Sequence, residues 1–376
     1  MTKTRRTTST TMKKNKNEKL NTTTSEKKFT TTDDTKRRTT TDGNANDRRA
    51  VPRHAQYSWL RNVAHLDHLP AIKGYDHEQA FNLTKFLESL ATTGFQAANL
   101  AKAIDVVNIM RREKAFLFFG FTSNMISSGL REPITYLAKR KHVDFIVTAA
   151  GGVEEDAIKC LKPFVVGEFD VPGEQLFEHG INRTGNIFVP NDRFAYFDTF
   201  LRTFLEKLYE NYTLKGKVVN TAVFTKELGL ALNDPSSFLF WAAKNNIPVV
   251  CPALMDGSIG DLVHFFRQRH PDFVIDVASD MDLAVKAALH AEKSGALILG
   301  AGMVKHYILN ANIFREGLDY TVYINTSQEY DGSDSGARIE EAITWGKVKA
   351  RTPAVKVHCD ATIAFPLLLL GTFAKP

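Results

Sequence analysis

Cysteine is scarce in this sequence, which has three cysteines among 376 residues. An odd number, spread over Cys160, Cys251 and Cys359, excludes a disulfide framework and leaves no pair with the spacing of a thiolate metal site. We expect no bound metal. A reducing, cytoplasmic location is the simplest setting for free thiols.

Long hydrophobic runs are also missing. The longest apolar stretch, Ile363–Ala374, covers twelve residues and contains Pro366, so it is too short to span a bilayer as a helix. The segment Met1–Arg6 begins no apolar signal-peptide core. The sequence therefore predicts a protein that is not associated with a membrane.

Positive charge is concentrated in residues 1–50. They hold 14 of the 48 Lys and Arg residues and 6 of the 42 acidic residues, a local charge of +8, whereas the rest of the chain carries −2. The overall charge therefore gives no argument for nucleic-acid binding. With 16 threonines and six apolar residues, this segment has little surface to bury, and we predict a disordered basic tail. Its acidic residues disfavour a mitochondrial transit peptide.

Residues 51–73 predict a short amphipathic helix followed by a linker. Large apolar side chains recur at roughly helical spacing over Tyr57–Leu69, before Pro70. They are Trp59, Leu60, Val63, Leu66 and Leu69. We expect the body of the protein at residues 74–376, as one large domain or as a domain with a helical insert around Phe194–Tyr212.

Short apolar runs alternate with amphipathic stretches from Ala115 onward. Such runs followed by helices predict a parallel sheet buried on both faces, and therefore an α/β doubly wound fold. The strand candidates are Phe116–Phe121, Phe145–Thr148, Pro248–Leu254, Phe273–Val277, Ala296–Leu299, Tyr320–Asn325 and Val355–His358. The helix candidates between them include Leu262–Arg269, Met281–Lys293, Val304–Phe314 and Ile339–Trp345.

Ligands of open parallel sheets bind beyond the carboxyl ends of the strands, so the residues after each strand candidate matter most. The hydroxyls of Thr122–Ser128 fit either a phosphate or ordinary helix caps. Paired glycines and three carboxylates follow the second candidate at Gly151–Asp156. Gly300-Ala301-Gly302 begins like a dinucleotide fingerprint, but Lys305 stands where the third glycine would fall, so the signal is weak.

An acidic, glycine-rich loop occupies residues 331–336. It is not an EF-hand, because Ala342 stands where position twelve needs an acidic residue. Asp331 and Asp334, with Glu340 and Glu341 nearby, fit either a polycation ligand or a solvated surface loop.

Lys347 and His306 are the candidate reactive groups. Lys347 follows Trp345 and Gly346 between apolar residues. A partly desolvated lysine is a nucleophile able to form Schiff bases, although most such lysines extend toward solvent. His306 begins a helix candidate, where a capping or core role competes with that of a general base.

Taken together, these segments resemble the deoxyhypusine synthases. The resemblance runs in order from about Gly74 to Phe373, nearly the whole body, and is far more specific than any single motif. The strings that carry it are GFTSNMISSGLR at Gly120–Arg131, GGVEED at Gly151–Asp156, PALMDGSIGD at Pro252–Asp261, VKH at Val304–His306, YINT at Tyr323–Thr326, DGSDSGAR at Asp331–Arg338 and WGK at Trp345–Lys347.

The resemblance implies a Rossmann-like sheet and a homotetramer with active sites at dimer interfaces. It also implies NAD-dependent cleavage of spermidine. The 4-aminobutyl group would pass, through an imine on an enzyme lysine, to a lysine of the translation factor that carries hypusine. Spermidine carries about three positive charges at neutral pH, which gives the clustered carboxylates a reason. The segment Tyr57–Leu69 resembles the family's N-terminal plug over a neighbouring subunit's site.

Individual roles are implied by the same resemblance. Lys347 matches the covalent nucleophile, and His306 matches the proton acceptor in spermidine oxidation. The positions matched to substrate binding are Glu154, Glu155, Asp261, Ala301, His306, Gly332, Ser333, Asp334, Ser335, Gly336, Ala337, Arg338, Glu341, Trp345 and Lys347. The positions matched to NAD binding are Ser123, Asn124, Met125, Ile126, Ser127, Ala149, Ala150, Gly151, Glu155, Asp256, Thr326, Ser327, Ser335, Asp360 and Ala361.

Two positions depart from the family's pattern. Ala149 stands where a second threonine is usual, and Ala301 interrupts a glycine triplet. An alanine at 301 is harmless only if its φ is negative and no ligand comes within contact distance.

Two alternatives to an active deoxyhypusine synthase therefore stay open. One is a catalytically impaired paralog that supports an active subunit in a hetero-oligomer; the retained Lys347, His306 and Glu341 argue against it. The other is a homospermidine synthase, which uses putrescine as the acceptor.

Overall fold

The structure, a computed structural model, describes residues 66–374. The chain divides into two units, residues 1–70 and residues 71–376. In the first unit, the described Leu66–Leu69 form a turn closed by a 2.9 Å hydrogen bond from the Leu69 N–H to the Leu66 carbonyl. The predicted tail and the remainder of the predicted helix at Tyr57–Leu69 lie outside the described residues.

A six-stranded sheet forms the centre of the second unit. Its strands lie in the order β6-β2-β1-β7-β8-β9, and every pairing is parallel. A separate antiparallel sheet has the order β3-β5-β4. In chain order the strands are β1 (Phe116–Phe121), β2 (Phe145–Thr148), β3 (Val165–Val166), β4 (Ile181–Thr184), β5 (Ile187–Pro190), β6 (Val249–Val250), β7 (Ser294–Leu299), β8 (Tyr320–Asn325) and β9 (Ala354–His358).

Helices cover both faces of the large sheet. In chain order they are α1 (Leu83–Thr93), α2 (Phe95–Arg112), α3 (Asn124–Ser127), α4 (Arg131–Lys139), α5 (Ala150–Leu161), α6 (Gly173–Glu178), α7 (Asp192–Asn211), α8 (Thr221–Leu232), α9 (Phe238–Asn245), α10 (Ser258–Arg267), α11 (Ala278–His290), α12 (Met303–Ile313), α13 (Ile339–Thr344) and α14 (Ala361–Gly371). None of the helices within residues 66–374 is both long and apolar enough to cross a membrane.

The strand β1 is almost entirely apolar because both of its faces are buried. Successive side chains of a strand point to opposite faces. Phe119 and Phe121 pack into the cluster that includes α2, α5 and α14, while Phe118 packs into the cluster of α11, α12 and α13. All three rings are fully buried. The predicted α/β doubly wound fold is therefore confirmed, with a sheet covered on both faces.

The strand order reverses between β1 and β7. The chain builds from β1 through β2 to β6, crosses to β7 on the other side of β1, and continues through β8 to β9. This is the order of dinucleotide-binding sheets, whose ligands lie at the carboxyl ends of the strands beside the reversal. The loops that begin at Thr122 and Gly300 therefore meet at this switch point.

Five of the seven predicted strands form within two residues of their predicted bounds, but two predictions need correction. Pro248–Leu254 shrinks to Val249–Val250, because the Cys251 N–H bonds to the Thr221 hydroxyl at 2.9 Å instead of to a strand. Phe273–Val277 forms no strand: Ile275 makes a single bridge to Val219 before α11 begins. The segment Phe194–Tyr212, predicted to be helical, lies almost entirely in α7 (Asp192–Asn211).

Candidate functional site

A cavity of about 430 Å³ lies at the carboxyl end of the sheet, between α12, the loop after β8, and α13. Seven predicted substrate-binding residues and the predicted nucleophile surround it. Its lining comprises Lys305, His306, Leu309, Asn310, Ile313, Gly332, Asp334, Ala337, Arg338, Glu341, Ala342, Trp345 and Lys347. The structure thus brings together residues that are separated by about forty positions in the sequence.

The end of α13 explains how Lys347 enters this cavity. Gly346 adopts a left-handed conformation with φ of 68°, as glycines commonly do where a helix ends. The Lys347 N–H then bonds back to the Ala342 carbonyl at 3.0 Å, and the Lys347 carbonyl accepts from Leu318 at 3.0 Å. Lys347 is 7% exposed. The chain reversal therefore fixes the base of this side chain and buries its stem.

Trp345 lies at the mouth of the cavity. Its ring centroid is 5.7 Å from the Lys347 Nζ, and the residue is 66% exposed. An aromatic ring in this position offers an apolar surface and a favourable site for cations.

Asp334 contacts two adjacent residues of α12, Lys305 and His306. Its Oδ1 lies 3.3 Å from the His306 Nδ1, and its Oδ2 lies 3.6 Å from the Lys305 Nζ. The Lys305 Nζ also donates to the carbonyls of Asp334 and Ala337. The buried Asp334 Oδ2 has no hydrogen-bond partner within residues 66–374. A buried carboxylate oxygen without a compensating charge is costly, and the Lys305 ammonium 3.6 Å away supplies that charge.

Lys305 is almost fully buried, at 1% exposure. Burial lowers the pKa of its ammonium, and the carboxylate of Asp334 opposes that shift. The Lys305 Nζ is also 5.2 Å from the centre of the Tyr323 ring. This lysine therefore belongs to the floor of the cavity and has its donors occupied.

Five residues of the cavity wall were not among the predicted site residues. They are Lys305, Leu309, Asn310 and Ile313 on α12 and Ala342 on α13. Helical spacing from His306 was the available signal for Leu309, Asn310 and Ile313, because positions three, four and seven residues apart share one face of a helix. Leu309 and Ile313 give the cavity an apolar side suited to methylene groups.

A second group of predicted residues gathers after β1 and β2. The Ser127 hydroxyl donates to the Glu155 Oε2, which ties the loop after β1 to α5. A Cβ added to Gly151 would lie 2.7 Å from the Cβ of Ser123, so these loops approach as closely as a glycine permits. Burial raises the pKa of Glu155 to about 7, against the lowering effect of the Ser127 hydroxyl.

The loop at Gly300-Ala301-Gly302 lies between the two groups. A Cβ on Gly300 would lie 2.4 Å from the Thr122 Oγ1, and one on Gly302 would lie 3.5 Å from the Ser335 Oγ. Both glycines have positive φ, of 82° and 70°, whereas Ala301 is absent from the residues with positive φ. The backbone condition for tolerating Ala301 is therefore met.

The remaining predicted cofactor positions follow β8 and β9. The Lys356 Nζ donates to the carbonyls of Ser327 and Gly336, at 2.8 and 2.6 Å, which joins Thr326–Ser327 to the acidic loop. The Asp360 carboxylate caps α14 by accepting from the Thr362 N–H at 2.8 Å. Ala361 is the first residue of that helix.

Three predicted acidic residues lie around the start of α10 and do not line the cavity. Glu154 is buried, and its Oε2 accepts from the Ile259 N–H at 3.0 Å. Burial raises the pKa of Glu154, with Asp261 and Asp256 adding to the shift. Asp256 and Asp261 are themselves exposed. Within one chain, this acidic group and the cavity of Lys347 are therefore separate surfaces.

The fold and these sites define a Rossmann-type protein with a buried lysine in a cavity that also holds two carboxylates. The deoxyhypusine synthase family model matches residues 85–372. The deoxyhypusine synthase of Musa acuminata is 45% identical over 332 residues, which cover 81% of this chain and 88% of the relative. Homospermidine synthase 2 of Senecio vernalis is 44% identical over 329 residues, with 81% and 89% covered.

A solved structure gives the same result. An Entamoeba histolytica protein assigned as a deoxyhypusine synthase aligns with a TM-score of 0.58 and 29% identity, covering 81% of this chain and 97% of that one. The chain belongs to the deoxyhypusine synthase family.

Proposed function

We propose that the protein transfers the 4-aminobutyl group of spermidine to a lysine of the hypusine-containing translation factor, with NAD as cofactor. The observation that carries this proposal is the cavity in which Lys347 faces Asp334, Glu341 and Trp345. It combines a nucleophilic amine with carboxylates for cationic groups and an aromatic ring for methylenes, as an aliphatic polyamine requires.

The residues of the cavity divide the work. Asp334 and Glu341 accept hydrogen bonds from the ammonium ends of spermidine, and such charge-assisted bonds also fix its direction. Trp345 packs against the methylene chain. His306, oriented by Asp334, takes the proton of the secondary amine. With NAD bound to take hydride from the carbon beside that amine, Lys347 would attack the resulting carbon–nitrogen double bond, form an imine with the aminobutyl group and release 1,3-diaminopropane.

The residues at the switch point fit NAD. Ala149 precedes α5 and Gly302 precedes α12, and neither residue caps its helix with a side-chain hydrogen bond. The first N–H groups of both helices are therefore available to phosphate oxygens. Glu155 supplies a carboxylate for a ribose hydroxyl. When bound, NAD would accept hydride from spermidine and later return it to the product.

The exposure of the site supports an assembly. Trp345 at the cavity is 66% exposed, and Met303 and Phe314, at the two ends of α12, are 36% and 65% exposed. Where such exposed apolar side chains form a contiguous patch, they mark an interaction surface. We propose a cytoplasmic homotetramer in which a neighbouring subunit completes each site, with Asp261, Glu154 and Asp256 as the part that faces it.

Putrescine is a second candidate acceptor. The Senecio vernalis homospermidine synthase is nearly as similar to this chain as the deoxyhypusine synthases are. An assay with the translation factor and putrescine as competing acceptors distinguishes the two activities, and we expect transfer to the protein lysine to dominate. Transfer mainly to putrescine would reverse the assignment.

The central experiment uses the pure full-length protein with labelled spermidine and NAD. Borohydride should trap the label on the protein, and peptide mapping should place it on Lys347. Labelling without any added subunit would also contradict the impaired-paralog alternative. Absence of both label and NADH formation would refute the proposed function.

A further inference from the structure

Lys159 contacts the loop that follows β1, and it is not among the residues proposed to bind the substrate or the cofactor. Its Nζ donates to three consecutive backbone carbonyls, those of Ile126, Ser127 and Ser128, at 2.8, 3.1 and 3.1 Å. These carbonyls lie at the carboxyl end of the short helix α3. The partial negative charge at the carboxyl end of a helix favours an ammonium group there. All three donors of the lysine are therefore committed to the loop that follows β1.

The helix α5, which carries Lys159, also holds the 123–128 loop at a second point. Glu155 precedes Lys159 by four residues on α5, so the two side chains lie on one face of the helix. Glu155 accepts from the Ser127 hydroxyl, and Ser127 is 3% exposed. Glu155 therefore binds the loop through the Ser127 side chain, and Lys159 binds it through the backbone carbonyls.

We propose that Lys159 is a positioning residue of the nucleotide site, because its ammonium fixes the 123–128 loop on α5 and sets the geometry in which Ser127 and Glu155 meet the ligand. This inference rests on the proposed binding of NAD at the switch point. Lys159 does not itself need to touch the ligand.

Charge gives Lys159 a second effect on the site. Burial raises the pKa of Glu155 to about 7, and the Lys159 ammonium opposes that rise. The charged and titratable groups around this pair come from α3, α4 and α5. They are the Ser127 hydroxyl, Glu132 and Arg131 of α4, and Glu154 and Asp156 of α5.

These charges predict how binding depends on pH. The ionised carboxylate accepts a ribose hydroxyl more strongly than the protonated form does, so NAD affinity should rise with pH through about 7. Removing the lysine charge should raise the pKa of Glu155 further and move this transition to higher pH. A residue that only stabilised the fold would leave the transition where it is.

The test measures NAD binding to the full-length protein by calorimetry from pH 6 to 8.5. Lys159→Met should weaken binding about tenfold at pH 8 through loss of the charge-assisted bonds, and it should shift the transition upward. Lys159→Arg keeps the charge but not the three convergent bonds, so it should weaken binding without the shift. Lys162→Met is the matched control, because Lys162 pairs with Asp192 at the surface.

The outcomes separate the two proposals. Wild-type protein that binds no NAD would refute the proposed cofactor, and the role of Lys159 would fall with it. Normal binding by wild type together with unchanged affinity and transition in Lys159→Met would refute the role of Lys159 alone. A thermal melt checks that the variants fold; if Lys159→Met does not, Lys159→Gln, which also removes the charge, must show the upward shift, and an unshifted transition there refutes the proposal.

Discussion

Lys305 and Lys347 show, at the scale of single residues, what distinguishes a structural lysine from a reactive one. Both line the same cavity and both are buried. The Lys305 Nζ bonds to the carbonyls of Asp334 and Ala337, whereas the Lys347 Nζ has a ring face beside it. An amine whose donors are committed to the backbone is poorly placed to attack a substrate carbon.

Replacing Lys347 tests this distinction. Lys347→Arg keeps the charge but cannot form the imine, so aminobutyl transfer should fall to background while NAD binding persists. Transfer is measured with labelled spermidine, and binding by calorimetry. Lys349→Arg is the matched control, since Lys349 pairs with Asp319 away from the cavity. Label trapped on Lys305 would contradict the assignment.

The carboxylates of the cavity can be tested in the same way. Asp334→Asn and Glu341→Gln each remove one charge-assisted contact to an ammonium, so each should weaken spermidine binding by about 1.5–3 kcal/mol and leave NAD binding nearly unchanged. Equilibrium binding of both ligands measures the difference.

Asp331→Asn provides the control for the loop. The Asp331 carboxylate accepts from the Ser333 N–H and does not line the cavity, and an asparagine oxygen can accept the same bond. Its spermidine affinity should equal that of wild type. Unchanged affinity in the Asp334 and Glu341 variants would mean that the loop is only a solvated surface.

At the scale of elements, the buried strands could be predicted because their composition has a single cause. A parallel strand covered on both faces needs apolar side chains at every position, and β1, β2 and β8 have the predicted bounds. Phe273–Val277 has a similar composition but a different environment. Phe273 is buried, whereas Val274 and Val277 are 56% and 49% exposed. Composition alone does not reveal whether a neighbouring strand is present.

The antiparallel sheet could not be predicted, because its strand β4 has little apolar sequence. β4 reads Ile-Asn-Arg-Thr and three of its four residues are exposed. A strand with so little buried surface carries neither an apolar run nor a regular alternation.

The contact between β1 and α12 gives a prediction at this scale. A Cβ on Gly120 would lie 2.7 Å from the Ile308 Cδ1 and 2.8 Å from the Val304 Cγ1. Gly120→Ala should therefore lower the free energy of unfolding by about 1–3 kcal/mol. Because α12 carries His306, transfer activity should decrease as well. Urea denaturation and the transfer assay measure the two effects.

Gly173→Ala is the control for this substitution. Gly173 begins α6, and a Cβ there meets no atom of residues 66–374 within 4 Å. Its stability should equal or slightly exceed that of wild type. Equal stability of Gly120→Ala would show that α12 moves away from the sheet at little cost.

At the scale of the whole molecule, the strand order explains which predicted residues meet. β7 and β8 are neighbours in the sheet, so the loops that follow them bring His306 and Asp334 into one cavity. The resemblance identified these residues, but their contacts depend on tertiary packing that no local pattern contains. The acidic group around Asp261 follows β6, at the opposite edge of the sheet, which is why one chain does not join it to Lys347.

The N-terminal segments give the last prediction. Deleting residues 1–50 removes a charge of +8 and little apolar surface, so folding and activity should hardly change. Deleting residues 1–69 also removes Trp59, Leu60 and Val63, the apolar face that resembles the family's plug. We expect the longer deletion to leave NAD binding intact and to alter spermidine turnover or assembly. Transfer rates and oligomer masses should be measured at about 0.15 M salt, where the Debye length is about 8 Å and steering by the basic tail is weak. A shorter deletion that abolishes activity, with no further effect of the longer one, would assign the function to the basic tail instead.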